Sequence, residues 1–292
     1  MSAATVYQGF LGNASADINP STGGGIAFNM PAGPDVYSAA VQLHAGLAED
    51  RILYQFLIAG SSLNPQFGAI IQFGTGAAGS EVWLPVEVPY TMGQASSFTN
   101  LTAMQLDLPM GILLPAGVRI AFRARSSLAT IKSGSRIVAT GLIPAAALAS
   151  DDIPYGKDTL GSAYSFDALG STAVPIAVTT GASADAYGAA VQLHAAVPND
   201  LWLCTVSAAW PGTSAGGDVI DVQLGAGAAG AEVWHAVARF KCMGQAAGFH
   251  TGVNQFRRLD SAIFVPAGTR VAARSKGNNA AQAAAVLVGV AF

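Results

Sequence analysis

The residues that could do chemistry in this chain are two glycine runs, the glutamates that follow them, arginines set into apolar stretches, and a few histidines and cysteines. Gly74-x-Gly76-x-x-Gly79 has the literal spacing of a dinucleotide fingerprint, and Gly225-x-Gly227-x-x-Gly230 repeats it. That fingerprint works when its glycines open a helix whose N-terminus holds a pyrophosphate. Here Val82-Trp83-Leu84 and Val233-Trp234-His235 follow instead. These β-branched and aromatic residues favour strands, so both glycine runs are expected to be turns of hairpins, and no cofactor is expected.

Glu81 and Glu232 stand just after the glycines, and Arg119, Arg123, Arg270 and Arg274 interrupt apolar strands. A charge inside such a strand is costly unless paired. The expectation is an Arg–Glu pair between sheets or across a subunit contact, with Glu81 and Glu232 as partners of Arg119 and Arg270. A catalytic reading needs a second acid, and the repeated Asp35 or Asp185 reads as a turn-former ahead of Tyr37 or Tyr187. His44 and His194 occupy equivalent polar strand positions. His235, His250 and Cys242 match no standard zinc spacing, and Asp151-Asp152 with Asp158 lacks the periodic oxygens of a calcium loop. No metal and no catalytic residue is therefore assigned. Cys204 and Cys242 are too few for a disulfide framework and read as buried thiols.

The aromatic residues divide by occurrence. Trp83 and Trp234 belong to both repeats and are expected in the core. Trp202, Trp210, His235, His250, Arg257 and Arg258 belong to the second repeat alone. Flat rings beside polar groups suit stacking on a sugar or anchoring a partner, so these six are the candidate glycan or partner contacts.

What must position these residues is a fold that occurs twice. Asp35-x-Tyr37 and Ala39-Ala40-Val41-Gln42-Leu43-His44-Ala45 return about 150 residues later as Asp185-x-Tyr187 and Ala189-Ala190-Val191-Gln192-Leu193-His194-Ala195. Met92-Gly93-Gln94 returns as Met243-Gly244-Gln245, and Pro115-Ala116-Gly117-x-Arg119-x-Ala121-x-Arg123 as Pro266-Ala267-Gly268-x-Arg270-x-Ala272-x-Arg274. A period of that length is a domain, not a solenoid unit, and reads as a tandem duplication. The runs alternate at strand period, as in Val118, Ile120 and Phe122 against Arg119, Ala121 and Arg123. Glycine, proline, asparagine or serine bounds each run. The expected fold class is all-β, two tandem jelly-roll-like antiparallel β-sandwiches. Residues 1–20 are expected to form an N-terminal arm, 21–143 the first sandwich, 144–170 a linker whose start at Pro144 to Ser150 could be helical, and 171–292 the second sandwich. Phe10 in the arm and Tyr155 in the linker are the candidate attachment residues.

Composition narrows the function. Charged residues make up 11% of the chain against 51% hydrophobic, well under the roughly 25% charged of an ordinary domain. A surface this poor in charge is expected to be covered in an assembly. Net charge is −3 and the largest basic cluster is Arg257-Arg258, which argues against nucleic acid. No apolar run is long enough for a membrane helix, and the N-terminus lacks the pattern of a secretory signal.

The motif Gly-x-Gly-Ala-Ala-Gly-x-Glu-Val, followed by a strand pair and Pro-Ala-Gly-x-Arg-x-Ala-x-Arg, resembles β-sandwich modules of virion structural proteins of tailed bacteriophages, found in head decoration, head-fibre or tail-associated proteins. The resemblance runs from Ile26 to Gly141 and from Ile176 to Gly289, and leaves out the first twenty residues and the linker. Thr269 and Ala273 in place of Val118 and Phe122 are departures that touch packing. It implies a non-enzymatic virion protein made in the host cytoplasm, assembling as a symmetric oligomer, a trimer first, with other virion proteins. The alternative is a carbohydrate-binding adhesin for a host glycan. A glycan hydrolase would need two carboxylates about 5–10 Å apart in a cleft, a distance that sequence cannot supply.

Overall fold

A computed structural model describes residues 26–28, 34–60, 67–92, 102–127, 135–144, 165–210, 219–241 and 253–292. The described residues form strands and turns with no helix. In the N-terminal half the strands are β1 (Ile26–Phe28), β2 (Val41–His44), β3 (Arg51–Gly60), β4 (Phe67–Thr75), β5 (Val82–Met92), β6 (Thr102–Leu114), β7 (Ile120–Ser126) and β8 (Ser135–Pro144). A short β9 (Phe166–Ala168) follows. The C-terminal half holds β10 (Ile176–Thr179), β11 (Val191–His194), β12 (Leu201–Trp210), β13 (Val219–Ala226), β14 (Val233–Lys241), β15 (Val253–Val265), β16 (Val271–Gly277) and β17 (Ala283–Ala291).

The strand order is the same in both halves. The first half pairs β1-β8-β3-β6 in one sheet and β2-β7-β4-β5 in the other. In the second half, β10-β17-β12-β15 and β11-β16-β13-β14 pair in the matching order. Eight antiparallel strands in that order, in two packed sheets, make a jelly roll. The fold is therefore all-β, with one such sandwich in each half. Period-two alternation builds each core: Ala69, Ile71 and Phe73 of β4 point inward with Ile120, Phe122 and Ala124 of β7. Edge-to-face ring pairs, Phe28 on Phe122 and Phe56 on Phe73, span the two sheets.

The cores differ in one respect. Among the described residues, that of the second half is lined by its own residues, from Leu169 to Val290. That of the first half also takes in Phe166, Cys204, Phe256 and Ala291. Strand β12 explains this, because both of its faces are buried. Leu203, Val206 and Ala208 face the second core, while Cys204 faces the first. The outer face of the β10-β17-β12-β15 sheet thus closes the end of the first sandwich.

The linker departs from expectation. Pro144 is the last residue of β8 rather than the start of a helix, and residues 145–164 lie outside the described residues. Phe166–Ala168, placed within the linker by sequence, is strand β9, antiparallel to β17 and bridged in parallel to β5 at Val86. Gly289 of β17 leaves room for it, since a Cβ there would lie 2.5 Å from the Phe166 ring.

Candidate functional site

The glycine runs connect β4 to β5 and β13 to β14, as hairpin turns. Gly76 and Gly79 take φ of 115° and 81°, and Gly227 and Gly230 take 127° and 79°, a region open to glycine and costly for other residues. The leading glycine of each run has a different reason. Gly74 lies opposite Trp83 in the ladder, and a Cβ on it would come within 2.7 Å of the indole. Gly225 stands in the same relation to Trp234, again at 2.7 Å.

Each turn is held by the expected ion pair. Arg119 Nη1 donates to Glu81 at 2.7 Å and to the Gly76 carbonyl at 3.4 Å, and its Nε donates to Gln42 at 3.0 Å. The Gly79 amide donates to both Glu81 oxygens, at 3.2 and 3.1 Å. Arg270 pairs with Glu232 in the same way and donates to Gln192 at 3.1 Å, while the Gly230 amide donates to Glu232 at 3.1 Å. These bonds hold both carboxyls below the ordinary glutamate range. The Arg119 bond is the largest cause at Glu81, and the residue's own backbone amide, followed by Arg270, at Glu232. The pair lies along one sheet at a hairpin tip, not between sheets: β7 and β5 flank β4, so Arg119 reaches across the turn itself.

Trp83 and Trp234 are not core residues. Strand alternation puts them on the outer face, where each covers one side of an arginine. Arg123 stands 3.9 Å from the Tyr37 ring centre and 4.2 Å from that of Trp83. Arg274 stands 4.3 Å from Tyr187 and 4.1 Å from Trp234. Gln72 and Gln223 accept two bonds each from these arginines, at 2.8 and 2.5 Å and at 2.9 and 2.7 Å. Among the described residues neither arginine has a carboxylate partner. Ring faces and one amide oxygen carry the charge instead, and burial lowers the Arg123 pKa.

The richest polar cluster lies between the halves. Arg125 meets Glu87 at 2.7 Å, Asp35 at 3.3 Å and Asp167 at 3.9 Å. Asp35, in a left-handed conformation with φ 56°, accepts from the Thr172 hydroxyl at 2.8 Å and the Ala173 amide at 3.0 Å. Ile70 is buried against Ala168 and Ala173. Gly68 lets the chain pass closely, since a Cβ there would sit 1.9 Å from the Ala173 carbonyl oxygen. Burial and the neighbouring Glu87 raise the Asp167 pKa, although its bonds from the Ser171 hydroxyl and the Ala168 amide oppose the shift. Burial, with Glu87 adding to it, raises that of Tyr37. Burial works against the Arg125 charge, but Glu87, Tyr37 and Asp35 more than offset it. Deeper in the junction, the Ser207 hydroxyl accepts from the Thr91 amide at 2.8 Å and shares a 2.9 Å bond with the Thr91 hydroxyl.

The second-repeat candidates with described side chains, Trp202, His235, Arg257 and Arg258, are spread over two sheets. Trp202 is 43% exposed and tilts against Phe264, 46% exposed, with ring centres 5.1 Å apart. Arg257 and Arg258 are exposed further along β15, opposite Val206 and Thr205. His235 is half-buried on β14, in the other sheet. The side chain of Trp210 is not among the described ones, and His250, Cys242, Phe10 and Tyr155 lie outside the described residues. Cys204 is a free, buried thiol whose pKa burial pushes up to about 11. His44 accepts from the Gly46 amide at 3.0 Å. His194 lines a cavity of about 230 Å3 with Leu169, Val174, Ile176 and Val286. Among the described residues no three His, Cys, Asp or Glu side chains converge as a metal site requires, and no helix is long and apolar enough to cross a membrane. The junction cluster is what sequence reasoning missed. Its sequence signals are Asp35 repeated as Asp185, which reads as a turn, and Asp167, Ser171 and Thr172, which repeat Asp17, Ser21 and Thr22.

No protein-family model matches the chain, and no curated protein matches it. Solved structures similar to it include that of the infectious bursal disease virus Gx strain, at 8% identity and a TM-score of 0.25, covering 91% of this chain and 73% of that one. The VP2 subviral particle of infectious bursal disease virus is similar at 10% identity and 0.26, covering 92% and 70%. A223, a turret protein in Sulfolobus turreted icosahedral virus, is similar at 8% and 0.16, covering 91% and 99%. At these scores the likeness carries no argument about this chain.

Proposed function

We propose that the chain is a non-enzymatic structural protein of a virus particle. The virus is a tailed bacteriophage, and the protein decorates the head, belongs to a head fibre or is associated with the tail. It assembles as a symmetric oligomer, a trimer first, with other virion proteins as neighbours. The observation that carries this reading is the fusion of two jelly rolls through a common buried contact, with the second sheet face closing the first core. Jelly rolls serve in viral capsids and in lectins, and that step is an analogy of fold. The side chains around Glu81, Glu232 and Arg125 are bonded to backbone and, within each cluster, to one another, which suits a rigid building block. Large apolar side chains exposed at Val82, Leu113, Val233, Trp202 and Phe264 on a chain with 11% charged residues favour burial against neighbours.

The adhesin reading has one observation in its favour, the exposed Trp202–Phe264 pair, which offers a ring face to a sugar. Gold-labelled antibody against this protein, imaged on purified particles, tests the first reading: labelling at regular positions on head or tail supports it, and particles free of label refute it. A glycan array tests the second. Saturable binding that Trp202→Ala abolishes supports an adhesin, and no binding at millimolar ligand removes it.

A further inference from the structure

The junction consists of a segment, Asp167 to Ala173, seated on an acceptor face built by Asp35 and Arg125. Half of that acceptor recurs with no occupant among the described residues. Asp185 has φ 60° where Asp35 has 56°. Its amide donates to the Gly277 carbonyl at 2.7 Å, as that of Asp35 does to Ser126 at 2.7 Å. Lys276 stands 3.8 Å from Asp185 where Arg125 stands 3.3 Å from Asp35. Yet the Asp185 side chain is 84% exposed against 33% for Asp35, and among the described residues nothing donates a hydrogen bond to its carboxylate.

The segment recurs as well. Ser165, Asp167, Ser171, Thr172, Ile176 and Ala177 correspond to Ser15, Asp17, Ser21, Thr22, Ile26 and Ala27, at the same offset that relates Asp185 to Asp35. We propose that residues 15–22 of one copy of this chain dock on the outer face of the second half of another copy. In that contact Thr22 donates to Asp185 and Asp17 faces Lys276, as Thr172 donates to Asp35 and Asp167 faces Arg125. The inference rests on the self-association in the reading above and names its contact.

Reach excludes the same chain. Four steps along the backbone separate Thr22 from Ile26, a span of at most about 14 Å. Strand β1 is the far edge of its sheet, three strands from β6, which abuts β15 of the second half. Three inter-strand spacings of about 4.8 Å use up that reach, and the acceptor lies beyond both sheets of the second half. The acceptor also departs from its counterpart. Val219 and Asp221 stand where Gly68 and Ile70 accept the chain closely, and Asp221 is paired with Arg239. Gly23-Gly24-Gly25 replaces Ala173-Val174-Pro175, which frees the backbone beyond Thr22 to pass over Val219 by another path. The contact is therefore polar, anchored at Asp17, Ser21 and Thr22. Joining two different surfaces is heterologous, and it closes into a ring when the rotation permits.

Full-length variants test this by light scattering at tens of micromolar. Donor variant Asp17→Lys/Thr22→Val and acceptor variant Asp185→Asn/Lys276→Glu should each associate at least about tenfold more weakly than the parent, the loss expected for a charge-assisted bond. Mixed in equal amounts they should form a one-to-one dimer, because each keeps the surface the other lacks. A monomeric parent refutes self-association altogether. An oligomeric parent whose variants associate equally well leaves assembly standing and overturns this contact. A mixture that stays monomeric overturns the head-to-tail arrangement.

Discussion

Ser207→Ala would strike the contact between the halves at its most buried polar point. Ser207 is 1% exposed and Thr91 is fully buried. The substitution leaves the Thr91 amide, 2.8 Å from the lost oxygen, with no acceptor. An orphaned buried amide costs roughly 1–3 kcal/mol, and the lost bond to the Thr91 hydroxyl about 1 more. The expected loss is therefore about 2–4 kcal/mol. At about 2 °C per kcal/mol, the low end for a large domain, Tm should fall by about 4–8 °C. Thr91→Val is the matched control: it keeps the amide bond, so its cost should stay near 1 kcal/mol. Calorimetry reads both the size and the shape of the transition. Because the outer face of β12 completes the first core, the endotherm should stay single and move as a whole. A shift of less than about 0.5 kcal/mol, the range of neutral surface changes, would refute the claim that the bond is buried and obligatory. Two endotherms of which one moves would refute the shared core.

Gly225→Ala should cost roughly 1–3 kcal/mol, the range for overpacking, because its Cβ would lie 2.7 Å from the Trp234 ring. Displacement of the ring should shift tryptophan emission, and unchanged emission with unchanged Tm would refute the packing. Tyr90 is fully buried and among the described residues its hydroxyl has no hydrogen-bond partner, so Tyr90→Phe should raise stability by about 1 kcal/mol; a clear loss in denaturant titration would show that the hydroxyl is satisfied. The carboxyls of Glu81 and Glu232 are held below the ordinary value of 4.5. Their stabilisation is therefore present above that pH and is lost as pH falls through the lower folded values. Hydrogen exchange at the Gly79 and Gly230 amides, taken relative to the intrinsic rate at each pH, should accelerate over that acid range. In Glu81→Gln/Glu232→Gln the acceleration should vanish, and its persistence would point to another group.

Strand content, the repeated order and the hairpin glycines were legible because they depend on local pattern: alternation in β7, and glycines followed by Val-Trp. The Arg119–Glu81 pairing was legible from cost, since an arginine inside an apolar strand needs a partner. Placement of Trp83 failed for a related reason. Size alone assigns tryptophan to the core, whereas the face it takes is set by its register opposite Gly74 and by an arginine that needs cover. Strand β9 was missed because three residues carry no period, and they form a strand only where β17 and β5 present edges to them. The junction escaped because Asp35 and Thr172 are far apart in sequence and meet only after both sandwiches exist.

The unequal cores bear on how the chain is made. A ribosome delivers the first half before Phe166, Cys204, Phe256 and Ala291 exist, so the emerging N-terminal sandwich has an open, apolar end. Among the described residues the second half supplies the walls of its own core, so it can close on itself as soon as β17 leaves the tunnel. Order of synthesis and order of completion are therefore opposed: the half made first is finished last, and it waits for a residue next to the final one of this sequence. During that interval the open end of one nascent chain can be capped by the outer sheet of another. The same geometry that welds two halves within a molecule thus sets a hazard of exchange between molecules, strongest where many chains are translated side by side.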